Sequence, residues 1–185
     1  MKKHENFFNR TLLPLILLTS FLIGCDDPEL RFQTFENSKK GAYARKLSET
    51  GKFLSTTTES QIVLSVEFYD ENQGQNVAAY SWSVRFLPQG DVSANDPEVF
   101  LFEIQSQQFS ESDSGLPGVT FFLSKRQAID GLGLDGTSIQ KDDVFRFEAT
   151  LRMKDGSEFS AQNTGPNMIS QSPFNALFRL DAKVF

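Results

Sequence analysis

Histidine and cysteine are nearly missing from this chain, which contains one of each, His4 and Cys25, in 185 residues. Downstream of Cys25 there is no imidazole and no thiol, which excludes Ser–His and Cys–His nucleophilic catalysis and zinc sites built on His and Cys. Disulfides are excluded for the same reason, so an exported domain would depend on its apolar core. Only carboxylates, Lys, Tyr and Ser–Lys pairs remain for chemistry, and we expect neither an enzyme nor a cofactor.

Positive charge is also scarce. The chain has 18 Lys and Arg against 24 Asp and Glu, a formal net charge of −6. Residues 1–24 hold three of the basic and one of the acidic residues, which leaves a net charge of −8 for the remainder. Nucleic acids and anionic lipid head groups are recognised by clustered positive charge. The acidic remainder therefore disfavours both, and we expect no nucleic-acid partner.

The longest apolar run lies near the N-terminus, where Thr11 to Ile23 follows three basic residues, Lys2, Lys3 and Arg10. This run has about the length of the apolar part of a secretory signal and is too short for a permanent membrane span. It closes on Leu22-Ile23-Gly24-Cys25, which resembles the lipobox of bacterial lipoproteins. We therefore predict a signal peptide over residues 1–24 and a diacylglycerol on Cys25, the first mature residue. The alternative is an ordinary signal peptide with a chance cysteine.

Residues 25–40 are polar, carry Pro28 and show no sustained periodicity. We predict that they form a flexible tether between the lipid and a domain over residues 41–185. The acidic start of the tether, Asp26-Asp27 with Glu29, has three interpretations. It is a solvated linker, or it resembles the acidic export signal of surface lipoproteins in Bacteroidota, or it resembles the inner-membrane retention signal of enterobacteria.

Alternation of apolar and polar residues dominates the chain from Gly41 onward and predicts β-strands. The clearest run is Gln61 to Tyr69, in which every second residue from Ile62 to Phe68 is apolar. Further strands are predicted at 42–48, 79–87, 99–109, 119–123, 145–153 and 176–184, and the 99–109 strand is expected to place Phe100, Phe102 and Ile104 on one face. Turn residues at 70–74 and 154–157 predict two hairpins, of which the first joins 61–69 to 79–87.

One short helix interrupts these strands. Ser124 followed by Gln127 is typical of a capping box, and Gly131 and Gly133 end the helical pattern early. About seven strands with one short helix over residues 41–185 predict an all-β fold, an Ig-like antiparallel β-sandwich. Because no disulfide is available, Trp82 and inward-facing phenylalanines must fill the space between the two sheets.

A long polar loop, Pro88 to Glu98, separates two of the predicted strands. Its oxygen-bearing residues Asp91, Asn95, Asp96 and Glu98 are a weak candidate for a calcium site, since calcium prefers oxygen ligands. The spacing lacks the regular frame of an EF-hand, and a solvated turn is the favoured interpretation. We therefore expect that the protein binds no metal ion.

Three aromatic residues, Tyr43, Tyr69 and Phe109, lie at predicted strand ends or off the inward register. An exposed ring can stack on the face of a sugar, so these residues are candidate ligand-facing aromatics. The alternative is that they belong to the core and its edge, with the tyrosine hydroxyls reaching water. A glycosidase would need a pair of carboxylates, but no Asp or Glu of the chain lies in a recognisable catalytic motif.

A further pattern is the order of short segments along the chain, namely Gly41–Arg45, Val66–Asp70, Trp82–Val84, Leu132–Leu134, Asp143–Phe147, Asp155–Ser160 and Ser172–Phe174. This order resembles small lipoproteins of Bacteroidota encoded with outer-membrane nutrient importers of the starch-utilisation type, in which a surface lipoprotein caps a TonB-dependent barrel. The chain departs from the family in lacking a cysteine near its C-terminus and in its longer polar loop at Ser110–Gly115.

The resemblance implies a lipid-anchored, non-enzymatic protein of the outer membrane that faces the cell surface. Its expected role is that of an accessory or interaction subunit in a complex with an outer-membrane barrel. The alternative is a glycan-binding module that feeds such an importer. The motifs that carry the resemblance are structural, and none of them implies a catalytic residue.

Overall fold

The computed structural model describes residues 41–91, 97–170 and 174–185. The predicted signal peptide, Cys25 and the tether lie outside the described residues, as do Asn95 and Asp96. Within the described ranges, no helix combines the length and apolarity needed to cross a membrane. The described residues belong to one compact unit.

Two antiparallel sheets build this unit. Its strands are β1 (Tyr43–Gly51), β2 (Gln61–Tyr69), β3 (Val77–Leu87), β4 (Val99–Gln105), β5 (Ser110–Glu111), β6 (Pro117–Ser124), β7 (Val144–Met153), β8 (Glu158–Ser160) and β9 (Arg179–Lys183). The first sheet has the order β1-β2-β6-β5, and the second has the order β4-β3-β7, with β8 and β9 both paired to β7. The helices are α1 (Lys125–Leu132) and the short α2 (Pro166–Ser170), and 3-10 turns occupy Pro88–Gly90 and Ser106–Gln108.

The all-β antiparallel sandwich predicted from the sequence is confirmed, with nine strands where about seven were expected. Its Ig-like connectivity stays a prediction. The strand order favours it, because β1-β2-β6-β5 and β4-β3-β7-β9 match the A-B-E-D and C′-C-F-G sheets of immunoglobulin-type domains. Trp82 lies on β3, the position of strand C, where such domains carry a buried tryptophan.

The hairpin predicted between β2 and β3 is wrong. β2 pairs with β1 and β6, whereas β3 pairs with β4 and β7, so residues 70–76 carry the chain from one sheet to the other. The Asp70 carboxylate accepts hydrogen bonds from the backbone N–H groups of Asn72, Gly74 and Asn76. Such local bonds fix a reversal of the chain but not the partner of the next strand. Both strands have an apolar face, and placing them in opposite sheets lets these faces meet.

The hairpin predicted at 154–157 is confirmed, since β7 pairs with β8 across that turn. The predicted helix is confirmed as α1, with the Ser124 side chain accepting a hydrogen bond from the Gln127 backbone N–H at 3.4 Å. The helix ends at Gly133, whose φ of 65° is the left-handed conformation that glycine adopts at helix ends.

Aromatic rings from both sheets fill the interior. Phe68 of the first sheet meets Tyr80 of the second with ring centroids 5.5 Å apart, and Phe121 meets Trp82 at the same distance. Phe53 packs edge-on against two rings of β7, Phe145 and Phe147. Each such ring contributes roughly 1.5–3 kcal/mol by leaving water. The sandwich is therefore held by an aromatic layer, as the absence of disulfides requires.

The edge strands β1 and β4 each contain a β-bulge. In β4, Phe102 pairs with Trp82 and Phe100 with Ser83, so Leu101 is an extra residue. The bulge reverses the alternation, and Phe100 points outward with 64% of its surface exposed. The expectation that Phe100 shares a face with Phe102 and Ile104 is therefore wrong. In β1 the extra residue is Leu47, between the paired residues Lys46 and Ser48.

Candidate functional site

The face of the first sheet that points away from the core, hereafter its outer face, is ordered in rows across β1, β2 and β6. From one end to the other, the rows are Thr50–Val63–Phe122, Ser48–Ser65–Thr120, Arg45–Glu67–Gly118 and the pair Tyr43–Tyr69. The first two rows are uncharged, and the last two combine ionic and aromatic side chains. Register alone brings these residues together, because they are far apart in the sequence.

Two of the three predicted ligand-facing aromatics meet at the end of this face. The rings of Tyr43 and Tyr69 stack with their centroids 5.0 Å apart and their planes 7° from parallel. Phe174 meets Tyr43 edge-on at 5.9 Å, and the Arg45 guanidinium lies 4.9 Å from the centre of the Tyr69 ring. Both tyrosines are half-buried, and their rings are engaged by these protein contacts.

Glu67 is the centre of the ionic row. Its side chain is 1% exposed, although it points away from the core. The carboxylate accepts hydrogen bonds from the Tyr69 hydroxyl at 2.7 Å and the Ser112 hydroxyl at 3.1 Å, and further ones from Ser114 and Arg45. Ser112 and Ser114 belong to the segment between β5 and β6, which covers Glu67. The opposite position on β6 is Gly118, where a Cβ would lie 2.6 Å from the Val66 carbonyl oxygen, so no side chain fits there.

This arrangement sets the protonation of the site. Burial alone would raise the pKa of Glu67, but hydrogen bonds from Ser114, Tyr69, Ser112 and Arg45 hold that pKa below its usual value. Burial and the hydrogen bond to Glu67 raise the pKa of Tyr69 to about 12. Burial raises the pKa of Tyr43, assisted by the Glu67 charge and opposed by Arg45. Glu67 is thus an anion held by donors that keep their protons.

Phe109, the third predicted aromatic, is not part of this cluster. Its ring packs against Phe68 with centroids 4.3 Å apart and is half-buried. It lines an open groove of about 470 Å³ together with Val77, Pro117 and Lys154. A second depression of about 440 Å³ shares Lys154 and includes Phe159. The role of Tyr43, Tyr69 and Phe109 as ligand-facing aromatics stays a prediction.

The calcium candidate falls partly outside the described residues. Asp91 and Glu98 flank the stretch that contains Asn95 and Asp96, and Glu98 accepts a hydrogen bond from the Ser83 hydroxyl. In residues 41–91, 97–170 and 174–185, no group of three or more His, Cys, Asp or Glu is placed to hold a metal ion. The calcium site stays a prediction.

The outer face of the second sheet is charged, in contrast to that of the first. Glu148 is 6% exposed and accepts hydrogen bonds from Arg85 at 2.8 Å and Arg179 at 2.6 Å. Beside it lie the ion pairs Arg146–Asp181 and Arg152–Glu103. Burial would raise the pKa of Glu148, but Arg179 and Arg85 hold it below the usual value. Both buried glutamates are therefore ionised at neutral pH.

A buried lysine fixes the opposite end of the sandwich. Lys125, the first residue of α1, is 1% exposed, and its Nζ donates hydrogen bonds to the carbonyl oxygens of Leu54 at 2.7 Å and Thr57 at 3.1 Å. Burial lowers its pKa, and the charge of Asp143 opposes that shift. Lys125 thus ties the segment between β1 and β2 to the helix.

Sequence reasoning missed Glu67, Glu148 and Lys125. Each occupies an ordinary polar position in its own segment, and only the cross-strand register shows what surrounds it. Ser110–Gly115 was expected to be a plain polar connection, whereas two of its serines donate to Glu67. The outward position of Glu67 between two apolar residues did not distinguish it from Ser65, which alternates with apolar residues on the same strand.

Replacing Glu67 by Gln removes the charge that four donors surround. We expect Glu67→Gln to lower the free energy of unfolding by about 1–3 kcal/mol at neutral pH, because hydrogen bonds to a buried charge are lost. The matched control is Glu59→Gln, which breaks the exposed pair with Arg126 and should leave stability nearly unchanged. Urea unfolding of both variants measures the difference, and equal stability of Glu67→Gln and wild type would contradict the structural role.

Glu67→Gln should also change how the free energy of unfolding depends on pH in the acidic range. A carboxyl whose pKa is lowered by folding stabilises the fold above its unfolded pKa, about 4.3, and loses that contribution as pH falls through the folded pKa. Wild-type stability should therefore fall with pH in this window, and Glu67→Gln should show a shallower fall.

The three tyrosines of the chain, Tyr43, Tyr69 and Tyr80, all have raised pKa values, the last through complete burial. In an absorbance titration of the folded protein, the midpoints of phenolate formation should therefore lie above pH 10, the ordinary tyrosine value. Tyr69 should ionise at about 12, and at lower pH in Glu67→Gln, because the neighbouring negative charge is gone. A midpoint of phenolate formation at about pH 10, while circular dichroism still reports the fold, is the contrary result.

The described surface combines a donor-saturated glutamate, aromatic rings engaged by protein contacts, and open depressions. A general acid at neutral pH would need a raised carboxyl pKa, the opposite of what Glu67 and Glu148 have. Comparison of the chain with protein-family models, with curated proteins and with solved structures finds no match in any of the three.

Proposed function

We propose that this protein is a non-enzymatic lipoprotein, anchored by acyl chains on Cys25 at the outer membrane and acting as an interaction subunit beside a nutrient importer. The observation that carries the proposal is Leu22-Ile23-Gly24-Cys25 at the end of a signal-length apolar run with a basic start. A single acyl chain binds a membrane only marginally, whereas the two or three chains of a bacterial lipoprotein hold it stably.

In the proposed mechanism, the lipid anchor presents the domain to partner proteins in the same membrane. Lipid attachment confines the domain to a surface and raises its effective concentration towards partners in the same membrane. If residues 26–40 act as a flexible linker, their root-mean-square reach is about 20 Å. The domain would then search a small area around its anchor and meet a barrel protein without a high intrinsic affinity.

The chemistry of the most buried carboxylates supports a non-enzymatic role. Glu67 and Glu148 are neutralised by arginines and other donors. Asp143 accepts hydrogen bonds from the backbone N–H groups of Gln89 at 2.9 Å and Gln140 at 2.6 Å, which ties two loops together. Both oxygens of each of these carboxylates accept hydrogen bonds from within the fold.

A second candidate function is glycan binding in support of the same importer. The observation that favours it is the set of exposed or half-buried rings beside open, polar depressions, such as Phe109 in the groove of about 470 Å³. Aromatic rings next to hydroxyl and amide groups suit ligands with apolar C–H faces and many hydroxyls.

Lipid attachment is tested with Cys25→Ser. The wild-type protein, expressed in its own cell, should incorporate an alkyne-labelled palmitate and sediment with membranes. Cys25→Ser should lose the label and the membrane association, because no other thiol is present to receive the lipid. An unlabelled wild type, or a mature N-terminus other than acylated Cys25 by mass spectrometry, would overturn the anchor.

Partnership is tested by purification from crosslinked outer membranes in detergent. A tagged wild-type protein should recover a heat-modifiable barrel in a fixed ratio, and the barrel should be encoded beside this chain. Cys25→Ser, expressed at the same level, should recover much less, because it no longer shares the membrane. Recovery of no barrel, or equal recovery with the soluble variant, would count against the accessory role.

A further inference from the structure

The outer face of the first sheet contains an uncharged area beyond the Glu67 row. Its two rows are Thr50–Val63–Phe122 and Ser48–Ser65–Thr120. Phe122 is 55% exposed, and Leu47, the bulged residue beside these rows, is 48% exposed. The charges that flank Leu47 and Ser48 on β1 are Lys46 and Glu49, which pair with each other at 2.6 Å. The ring of Phe122 and the aliphatic side chain of Leu47 thus lie among the small hydroxyl-bearing side chains of these two rows.

A depression of about 190 Å³ adjoins the row that contains Thr120. Leu47 forms part of its wall, and the hydroxyl-bearing residues that line it are Ser65, Ser110, Ser112 and Thr120. Glu111 and Asp113 add two carboxylates, and no Lys or Arg is found among the described residues that line the depression. Thr120 and Phe122 alternate along β6 on the same face, about 7 Å apart. The depression and the exposed ring therefore form one continuous surface.

The chemistry of this surface selects a class of ligand. An exposed ring binds the flat apolar C–H face of another ring, and hydroxyl and carboxylate oxygens accept hydrogen bonds from hydroxyl groups. The two carboxylates of the lining disfavour phosphates and acidic sugars. We propose that this surface, defined by Phe122, Leu47, Ser65, Thr120, Glu111 and Asp113, binds a neutral carbohydrate chain. The proposal rests on the second candidate function and is independent of the lipid anchor.

The dimensions of the area favour a carbohydrate over a second copy of the chain. Three strands and about five residues along each give roughly 15 Å by 17 Å. Stable protein dimers bury about 800 Å² on each partner, which is several times this area. A short stretch of a sugar chain fits it, and Glu67 holds one wall of the depression in place through Ser112.

The second sheet supplies a matched control. Phe100 is even more exposed than Phe122, at 64%, and it also lines a depression of hydroxyl groups and carboxylates. The two sites differ in charge, because Glu148 in that depression is paired with Arg85 and Arg179. Both phenylalanines occupy strands, and removal of either ring leaves the core untouched. Loss of binding that depends on the ring at the proposed surface should therefore occur in Phe122→Ala and not in Phe100→Ala.

The test uses the mature lipidated protein in a polyoxyethylene detergent, since glycoside detergents would compete. Native gels that contain dextran, galactomannan, xyloglucan or soluble starch should retard the wild type with at least one polysaccharide. Calorimetry with an oligosaccharide of that polysaccharide should show affinity reduced about tenfold or more in Phe122→Ala. Phe100→Ala should bind like wild type, and Phe122→Trp should retain binding, because it keeps a ring. Thermal melts confirm that each variant is folded.

Several outcomes would overturn the proposal. These are no retardation of the wild type by any of the four polysaccharides, unchanged affinity in Phe122→Ala, and an equal loss in Phe100→Ala. A doubled mass in ultracentrifugation that Phe122→Ala abolishes, without polysaccharide binding, would make the face a contact between copies instead. Palmitate labelling and barrel recovery should be unchanged in Phe122→Ala, so failure here is distinguishable from failure of the anchor or the partnership.

Discussion

Packing of aromatic rings between two sheets is the interaction on which the rest of this structure depends. The described residues contain no cross-link to restrict the unfolded chain, and ordering a backbone costs roughly 1–2 kcal/mol per residue. Burial of aromatic rings offsets this cost, and the rings that are completely buried include Phe53, Phe68, Trp82 and Phe145. Rings from both sheets meet in this one layer, as Phe68 does with Tyr80 and Trp82 with Phe121.

The outer faces of the two sheets differ in how their charged side chains are arranged. The second sheet covers itself with arginine–carboxylate pairs around Glu148, which leaves few isolated charges. The first sheet concentrates its charge on Glu67 and leaves the rows from Ser48 to Phe122 neutral. Contact of an uncharged ligand with these neutral rows, which carry the exposed ring of Phe122, would not require the desolvation of a charged group.

Local patterns predicted the elements of this fold well. Alternation in β2 and β7 and the capping pattern at Ser124 each depend on residues close in sequence, and the structure confirms them. Such local patterns could not predict which strands pair with each other across the fold. The turn at Asp70 satisfies its own backbone whichever sheet the next strand joins, and the bulge at Leu101 depends on how β4 matches β3. Glu67 illustrates the same limit at the site, because its donors come from β1, β2 and the segment after β5.

The bulges at Leu47 and Leu101 have a consequence for how copies of this protein coexist. Each lies in the outermost strand of a sheet, where unpaired backbone groups could template growth by a neighbouring chain. At β1, residues 175–177 already hydrogen-bond to the backbone of Ala44 and Lys46, so this edge is partly covered. An extra residue interrupts the regular spacing of those groups and twists the edge, so that an identical strand cannot register with it over its full length. At Leu101, α1 also packs close by, since a Cβ at Gly131 would lie 3.0 Å from the leucine side chain. We therefore expect the two bulges to oppose sheet-to-sheet aggregation of neighbouring copies.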